Sequence, residues 1–242
     1  MDRAVLREDM IDSLQHEPKN VLTDEAVAVA MSDVPRHEFL PASVDAYADR
    51  SYECEGTRAL SPSEAARLVQ GLDPTPGDSV LVVGVGVGYT AALLAELVGE
   101  EHVHAVDISR PIVSLARSNL ASAGYGGVLV DRRDGSYGLP EYAPFDRILL
   151  EAAAVDAPMA LTEQLADGGR LVYPRGATNQ RLVAVTDDGR TDLGAVSFAP
   201  ILVEGEQSGA LERNRTARED LEHAVRRTER RRGWELDWID WE

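Results

Sequence analysis

Cysteine, lysine and long apolar runs are all scarce in this chain of 242 residues. Cys54 is the single cysteine, which excludes an intramolecular disulfide. No base motif accompanies it, so it reads as an inert small residue rather than a nucleophile. No apolar run approaches the length of a membrane span, and Met1-Asp2-Arg3 opens without an apolar signal segment. The expectation is a cytoplasmic protein without a membrane partner. Lys19 is the only lysine, so 23 of the 24 basic residues are arginine, against 42 acids and a net charge of −18. A dense acidic surface almost without lysine predicts a cytoplasm full of salt, where screening removes the self-repulsion of the folded state. A basic partner is the alternative, but the acids are scattered along the chain rather than clustered. Generic nucleic-acid binding is disfavoured, because phosphate contacts need a basic face. His16, His37, His102, His104 and His223 form no metal spacing, no Ser-His-Asp grouping stands out, and no internal repeat is visible.

What is present begins with a hydrophobic content of 44%, ample for the core of one large domain or one domain with additions. The chain is organised around Val80 to Thr90. Val80 to Gly84 reads as a buried strand, and Ala91 to Ala95 as the body of a helix. Gly84, Gly86 and Gly88 lie between them, where a turn lets a ligand approach the backbone and the helix start offers free N–H groups. A dinucleotide fingerprint needs its third glycine at position 89, which is Tyr89. The spacing G-x-G-x-G is instead similar to motif I of the S-adenosylmethionine-dependent methyltransferases. Asp107, 19 residues after Gly88, ends the next predicted strand and suits ribose hydroxyls in either class. A bare structural turn is the plain alternative.

Helical spacing over residues 4–16 and an N-cap signal at Thr23-Asp24-Glu25 predict two early helices. Residues 49–62 read as a loop entering a helix, with Ser61 as N-cap, Pro62 in the first turn and Glu64 closing a capping box. Strands are then predicted at 79–84, 102–107, 127–131, 146–151 and 169–174, with helices at 89–98, 110–123 and 157–166. This alternation predicts an α/β fold with a doubly wound, mostly parallel sheet, and binding at the carboxyl ends of its strands. Late strands, antiparallel in this reading, are expected at 180–186 and 195–200. Residues 203–242 hold 11 acids, 8 arginines and all three tryptophans, Trp234, Trp238 and Trp241. Their spacing fits a helix face or a strand, and either an appendage docked on its own core or a partner-binding tail.

The chain resembles the protein-L-isoaspartate (D-aspartate) O-methyltransferases over about residues 5–202. The matching residues are Val34-Pro35-Arg36-His37 with Phe39 and Pro41, Pro76-Gly77-Asp78, Gly88-Tyr89, Asp134-Gly135, Gly168-Gly169-Arg170-Leu171-Val172 with Pro174, Gln180 to Val183, and Leu193-Gly194 with Phe198-Ala199-Pro200. The resemblance implies a Rossmann-like class I methyltransferase. Its domain would span 1–202, with an N-terminal helical part and acceptor loop (1–75) and a core (76–202), followed by the extension 203–242. It implies S-adenosyl-L-methionine as cofactor, isoaspartyl-containing proteins or peptides as acceptors, and methyl-ester formation as protein repair. Gly84, Val85, Gly86 and Tyr89 would approach the cofactor, Asp107 would hold the ribose, Ile108 would pack on the adenine, and Asp134 with Gly135 would take the adenine amino group. Ser61 would orient the acceptor carboxylate, a role compatible with its cap. The sequence departs from the family pattern in three places. Ala59-Leu60-Ser61-Pro62 is about one residue short and lacks the family threonine. Val82, Val85 and Val87 replace acidic or hydroxyl residues. Glu151 replaces a small or hydroxyl one. These departures predict a diverged paralogue with retained cofactor binding and weakened or altered isoaspartyl methylation; a methyltransferase for another acceptor, or a non-catalytic S-adenosylmethionine-binding paralogue, is the alternative.

Overall fold

The computed structural model describes residues 3–203; the Trp-containing tail lies outside the described residues. Helices α1 (Arg3–Gln15) and α2 (Glu25–Asp33) come first. The Asp24 side chain accepts from the Val27 amide at 3.1 Å and starts α2. A 3-10 turn at Arg36–Phe39 follows. The stretch 49–62, read from sequence as a loop, contains a small hairpin of β1 (Tyr52–Cys54) and β2 (Thr57–Ala59). Its turn is Glu55-Gly56, with φ of +48° and +92°, the geometry that matches the twist of two paired strands. A non-glycine residue at the first turn position concealed it in the sequence.

Helix α3 (Pro62–Leu72) begins with the predicted capping box: the Ser61 hydroxyl accepts from the Glu64 amide at 3.2 Å, and Glu64 accepts from the Ser61 amide at 2.8 Å. Then come β3 (Val80–Val83), α4 (Tyr89–Val98), β4 (Val103–Asp107), α5 (Arg110–Ala123), β5 (Leu129–Arg132), β6 (Phe145–Leu150), α6 (Met159–Thr162), β7 (Leu165–Arg175), β8 (Arg181–Thr186) and β9 (Gly189–Ala195). The sheet order is β5-β4-β3-β6-β7-β8-β9, parallel through β7 and antiparallel beyond. All four β3 side chains are buried, Val80 and Val82 in one cluster and Leu81 and Val83 in the other, as expected for a strand covered on both faces. Each contributes about 1.5–3 kcal/mol of burial. The strand order reverses between β3 and β6, which opens a crevice at their carboxyl ends.

Two predicted elements differ. The helix at 157–166 is a single turn, Met159–Thr162. Gln164 is drawn off instead, its side chain accepting from the Leu139 amide and donating to Tyr137 O, both at 2.8 Å. Its carbonyl accepts from Phe145, and β7 begins next to it. The last strand is at 189–195, not 195–200, because Asp187-Asp188 closes a tight hairpin onto β8. Residues 198–201 instead cross to the end of β6, where Ala153 donates to Ala199 O at 2.7 Å and Ile201 donates to Ala153 O at 2.9 Å.

Candidate active site

The glycine loop leaves β3 with φ of +87° at Gly84, +54° at Gly86 and +94° at Gly88, values that favour glycine at each. Gly84 and Val85 donate to Val106 O at 2.8 and 3.1 Å, and Asn119 Nδ2 donates to Val87 O at 2.9 Å. The loop is therefore held from β4 and from α5. Its exit is the first turn of α4, whose N–H groups have no helical carbonyl to pair with. The Tyr89 ring is buried against Phe39 (centroids 5.6 Å) and under the Arg36 guanidinium (5.0 Å). What Tyr89 can offer a ligand is thus its backbone.

Asp107, at the end of β4, accepts from the Ser109 amide at 2.9 Å and the Gly86 amide at 3.4 Å. Burial raises its pKa, and these backbone bonds oppose the rise. The Ile108 amide contributes a further backbone bond, and a carboxylate with about four acceptor sites still has room for a ligand hydroxyl. Ile108, beside it, is half-buried. Asp134 is buried and accepts from both the amide and the hydroxyl of Ser136, at 2.9 and 2.6 Å. A Cβ at Gly135 would lie 2.3 Å from Val83 Cγ1 and 3.5 Å from Val106 Cγ2. Glycine is what lets this turn press onto the ends of β3 and β4. Gly84 to Gly86, Asp107 and Gly135 thus gather at one end of the sheet.

The segment that enters α3 reaches this loop through Thr57. Thr57 Oγ1 lies 3.4 Å from where a Cβ on Gly86 would stand, so β2 brings a hydroxyl to the glycine loop although the loop threonine is missing from the sequence pattern. Arg36, 1% exposed, donates to Ala46 O at 2.8 Å and to Leu60 O at 2.7 Å, and so pins the residue before Ser61. Burial lowers the Arg36 pKa. Arg58 pairs with Glu64 at 3.0 Å, donates to Ser197 O at 2.9 Å and lies over the Phe198 ring at 5.4 Å. The Ser61 hydroxyl is buried and already accepts the cap bond, which leaves its own proton to donate. Sequence reasoning missed Thr57 and the packing role of Arg36. Their signals are non-local: strand pairing for one and a buried polar network for the other.

The site residues form a cradle that a Cβ would fill, with backbone donors and an acid at its edge, which suits a nucleoside-containing cofactor. Residues 6–204 match the family described as protein-L-isoaspartate (D-aspartate) O-methyltransferase. The chain belongs to this family.

Among its relatives, the protein-L-isoaspartate O-methyltransferase of Methanocella arvoryzae is 43% identical over 71% of this chain and 96% of its own length. That of Aeropyrum pernix is 41% identical over 81% of this chain and 78% of its own. A solved protein-L-isoaspartate O-methyltransferase has a TM-score of 0.72 at 27% identity, covering 83% of this chain and 66% of that one. A Plasmodium falciparum structure named as a family member and bound to S-adenosyl-L-homocysteine shares the fold, with a TM-score of 0.70 at 21% identity. The isoaspartate O-methyltransferase family uses S-adenosylmethionine. The expected class I methyltransferase fold is thereby shown. Among the described residues no group of His, Cys, Asp and Glu could hold a metal ion, and no helix is long and apolar enough to cross a membrane.

Proposed function

We propose that the gathered ends of β3, β4 and β5 hold S-adenosylmethionine while the Ser61 loop presents the acceptor. Family membership makes the reaction methylation of isoaspartyl carboxylates in protein repair. When bound, S-adenosylmethionine would supply an electrophilic methyl on a sulfonium sulfur, with the neutral thioether as leaving group. A carboxylate with a pKa of about 4 is already ionised at neutral pH, so no general base is required. The chain's task is alignment and exclusion of water.

In this reading Gly84, Val85, Gly86 and Tyr89 contribute backbone, Asp107 takes the ribose hydroxyls and Ile108 covers the adenine. Asp134, carried by Gly135, accepts from the adenine amino group. Ser61 donates to the acceptor carboxylate from its cap position, held by Arg36 through Leu60. Its hydroxyl accepts from the Glu64 amide and keeps its own proton for the acceptor; the loop shortened by about one residue and without the family threonine is what we read as lowering turnover. We also read residues 1–75 as the acceptor-side part and 76–202 as the cofactor core. The acidic surface is read as adaptation of a cytoplasmic protein to salt, with isoaspartyl proteins, not nucleic acid or membrane, as partners.

The observation that carries the reading is the meeting of the glycine loop, Asp107 and Gly135 at one end of the sheet. Calorimetry with S-adenosylhomocysteine tests it. Asp107→Ala removes a charge-assisted contact and is expected to weaken binding by roughly 1.5–3 kcal/mol. Unchanged affinity removes Asp107 from the site and overturns this placement of the cofactor.

A further inference from the structure

The strand and loop that would meet the cofactor carry no acid: Val82, Val85 and Val87 are all buried and apolar. A carboxyl group reaches this place from the neighbouring strand. Glu151 follows β6, which pairs with β3 so that Leu150 lies beside Val83. The Glu151 amide donates to Val83 O at 2.8 Å, which fixes it against the strand that runs into Gly84. A Cβ on Gly84 would stand 3.7 Å from Glu151 Cβ, so the two residues share one wall of the crevice. The Thr90 side chain, in the first turn of α4, lies beside the Glu151 carboxyl and favours its ionised form. One oxygen of that carboxyl, Oε1, is sealed from solvent and has no partner. A buried oxygen in that state is costly unless a ligand completes it.

We propose that Glu151 is the anionic partner of the cofactor's sulfonium, a binding residue that distinguishes S-adenosylmethionine from its neutral-sulfur by-product. The inference rests on the placement of the cofactor at the Gly84–Gly88 loop. Asp107 from β4 and Glu64 from α3 face Glu151 and disfavour its ionisation; Arg58 from β2 favours it but is engaged by Glu64. Burial is the largest influence, and together they push the carboxyl up to about 8. At neutral pH, without ligand, Glu151 is therefore mostly protonated. A cation at Oε1 lets it ionise and releases the proton. The resulting pair is neutral, so the acceptor carboxylate meets no uncompensated negative charge. Once the methyl has left, the sulfur is uncharged, Glu151 takes a proton back, and the by-product is held less tightly.

The test is calorimetry of S-adenosylmethionine and S-adenosylhomocysteine on the full chain in molar potassium chloride, from about pH 6 to about pH 9. The α-ammonium and ribose are common to both ligands, so the ratio of affinities isolates the sulfonium. In the wild type the ratio should rise with pH, by at most about tenfold per unit, and level off above about 8. In Glu151→Gln, which is isosteric and cannot ionise, the ratio should be flat. It should also lie about tenfold or more below wild type at the upper end. In buffers of different ionisation enthalpy, the wild type should release a proton on binding S-adenosylmethionine near pH 7, and Glu151→Gln should not. A flat wild-type ratio, or a rise that survives in Glu151→Gln, overturns the inference. Asp107→Ala separates the two readings: it should weaken both ligands, leave their ratio unchanged above about pH 8 where Glu151 is ionised in either case, and move the rise of the ratio to lower pH, since Asp107 disfavours Glu151 ionisation. If it weakens neither, the placement of the cofactor fails and the Glu151 inference with it. If it weakens both while Glu151→Gln behaves as wild type, only the Glu151 inference fails.

Discussion

Gly135→Ala is the sharpest perturbation of this site, because it adds one methyl group and no backbone strain. The new Cβ would lie 2.3 Å from Val83 Cγ1, whereas ordinary contact begins at 3.4 Å, so one side must retreat by about 1 Å. Val83 cannot give way easily: it is β-branched, 3% exposed and paired on both sides, to Val106 and Leu150. The turn that carries Asp134 is the part that moves. Overpacking of this kind costs about 1–3 kcal/mol. In a chain of this size that lowers Tm by about 2–4 °C for each kcal/mol. Displacing Asp134 from the adenine should cost most of a charged hydrogen bond, about 1.5–3 kcal/mol, or roughly 10- to 100-fold in S-adenosylhomocysteine affinity. Thermal melting and calorimetry read the two effects. Two controls sharpen them. Gly126→Ala, with its nearest neighbour atom at 4.0 Å, should be neutral or slightly stabilising. Adding Val83→Ala to Gly135→Ala removes the clashing methyl and should restore part of the affinity, a coupling of about 0.5–3 kcal/mol. Wild-type melting and affinity in Gly135→Ala would refute the close packing of this turn on β3. A loss that Val83→Ala leaves untouched would place the clash elsewhere.

Ser61→Ala should remove the α3 cap at a cost of about 1 kcal/mol. It should also lower turnover of an isoaspartyl peptide at least about tenfold, with S-adenosylhomocysteine affinity unchanged; equal turnover would make Ser61 a cap only. Ser61→Asp keeps the cap but should lose turnover through repulsion of the anionic acceptor. Thermal melting should move upward from low to molar potassium chloride, since screening relieves the repulsion of a −18 charge. A flat or falling Tm would return a basic partner as the reason for the acids.

The sequence by itself determined the parallel core, the glycine loop and the α3 capping box, because each is a local pattern. Buried β-branched runs, a G-x-G-x-G spacing and Ser61-Pro62 with Glu64 act within a few residues of themselves. It also placed Asp107 and Asp134-Gly135 at strand ends, since strand alternation implies where those ends lie. Only the tertiary structure decided the rest. Residues 157–166 carry a helical pattern, yet Gln164 bonds to Leu139 and Tyr137 and β7 begins beside it. Residues 198–201 look like a strand, yet they cross to Ala153. Thr57 at the glycine loop, Arg36 beneath Leu60 and the sealed Oε1 of Glu151 each depend on segments far apart in the chain. The energy of a buried polar atom is set by whatever surrounds it in space. No window along the sequence contains that neighbourhood.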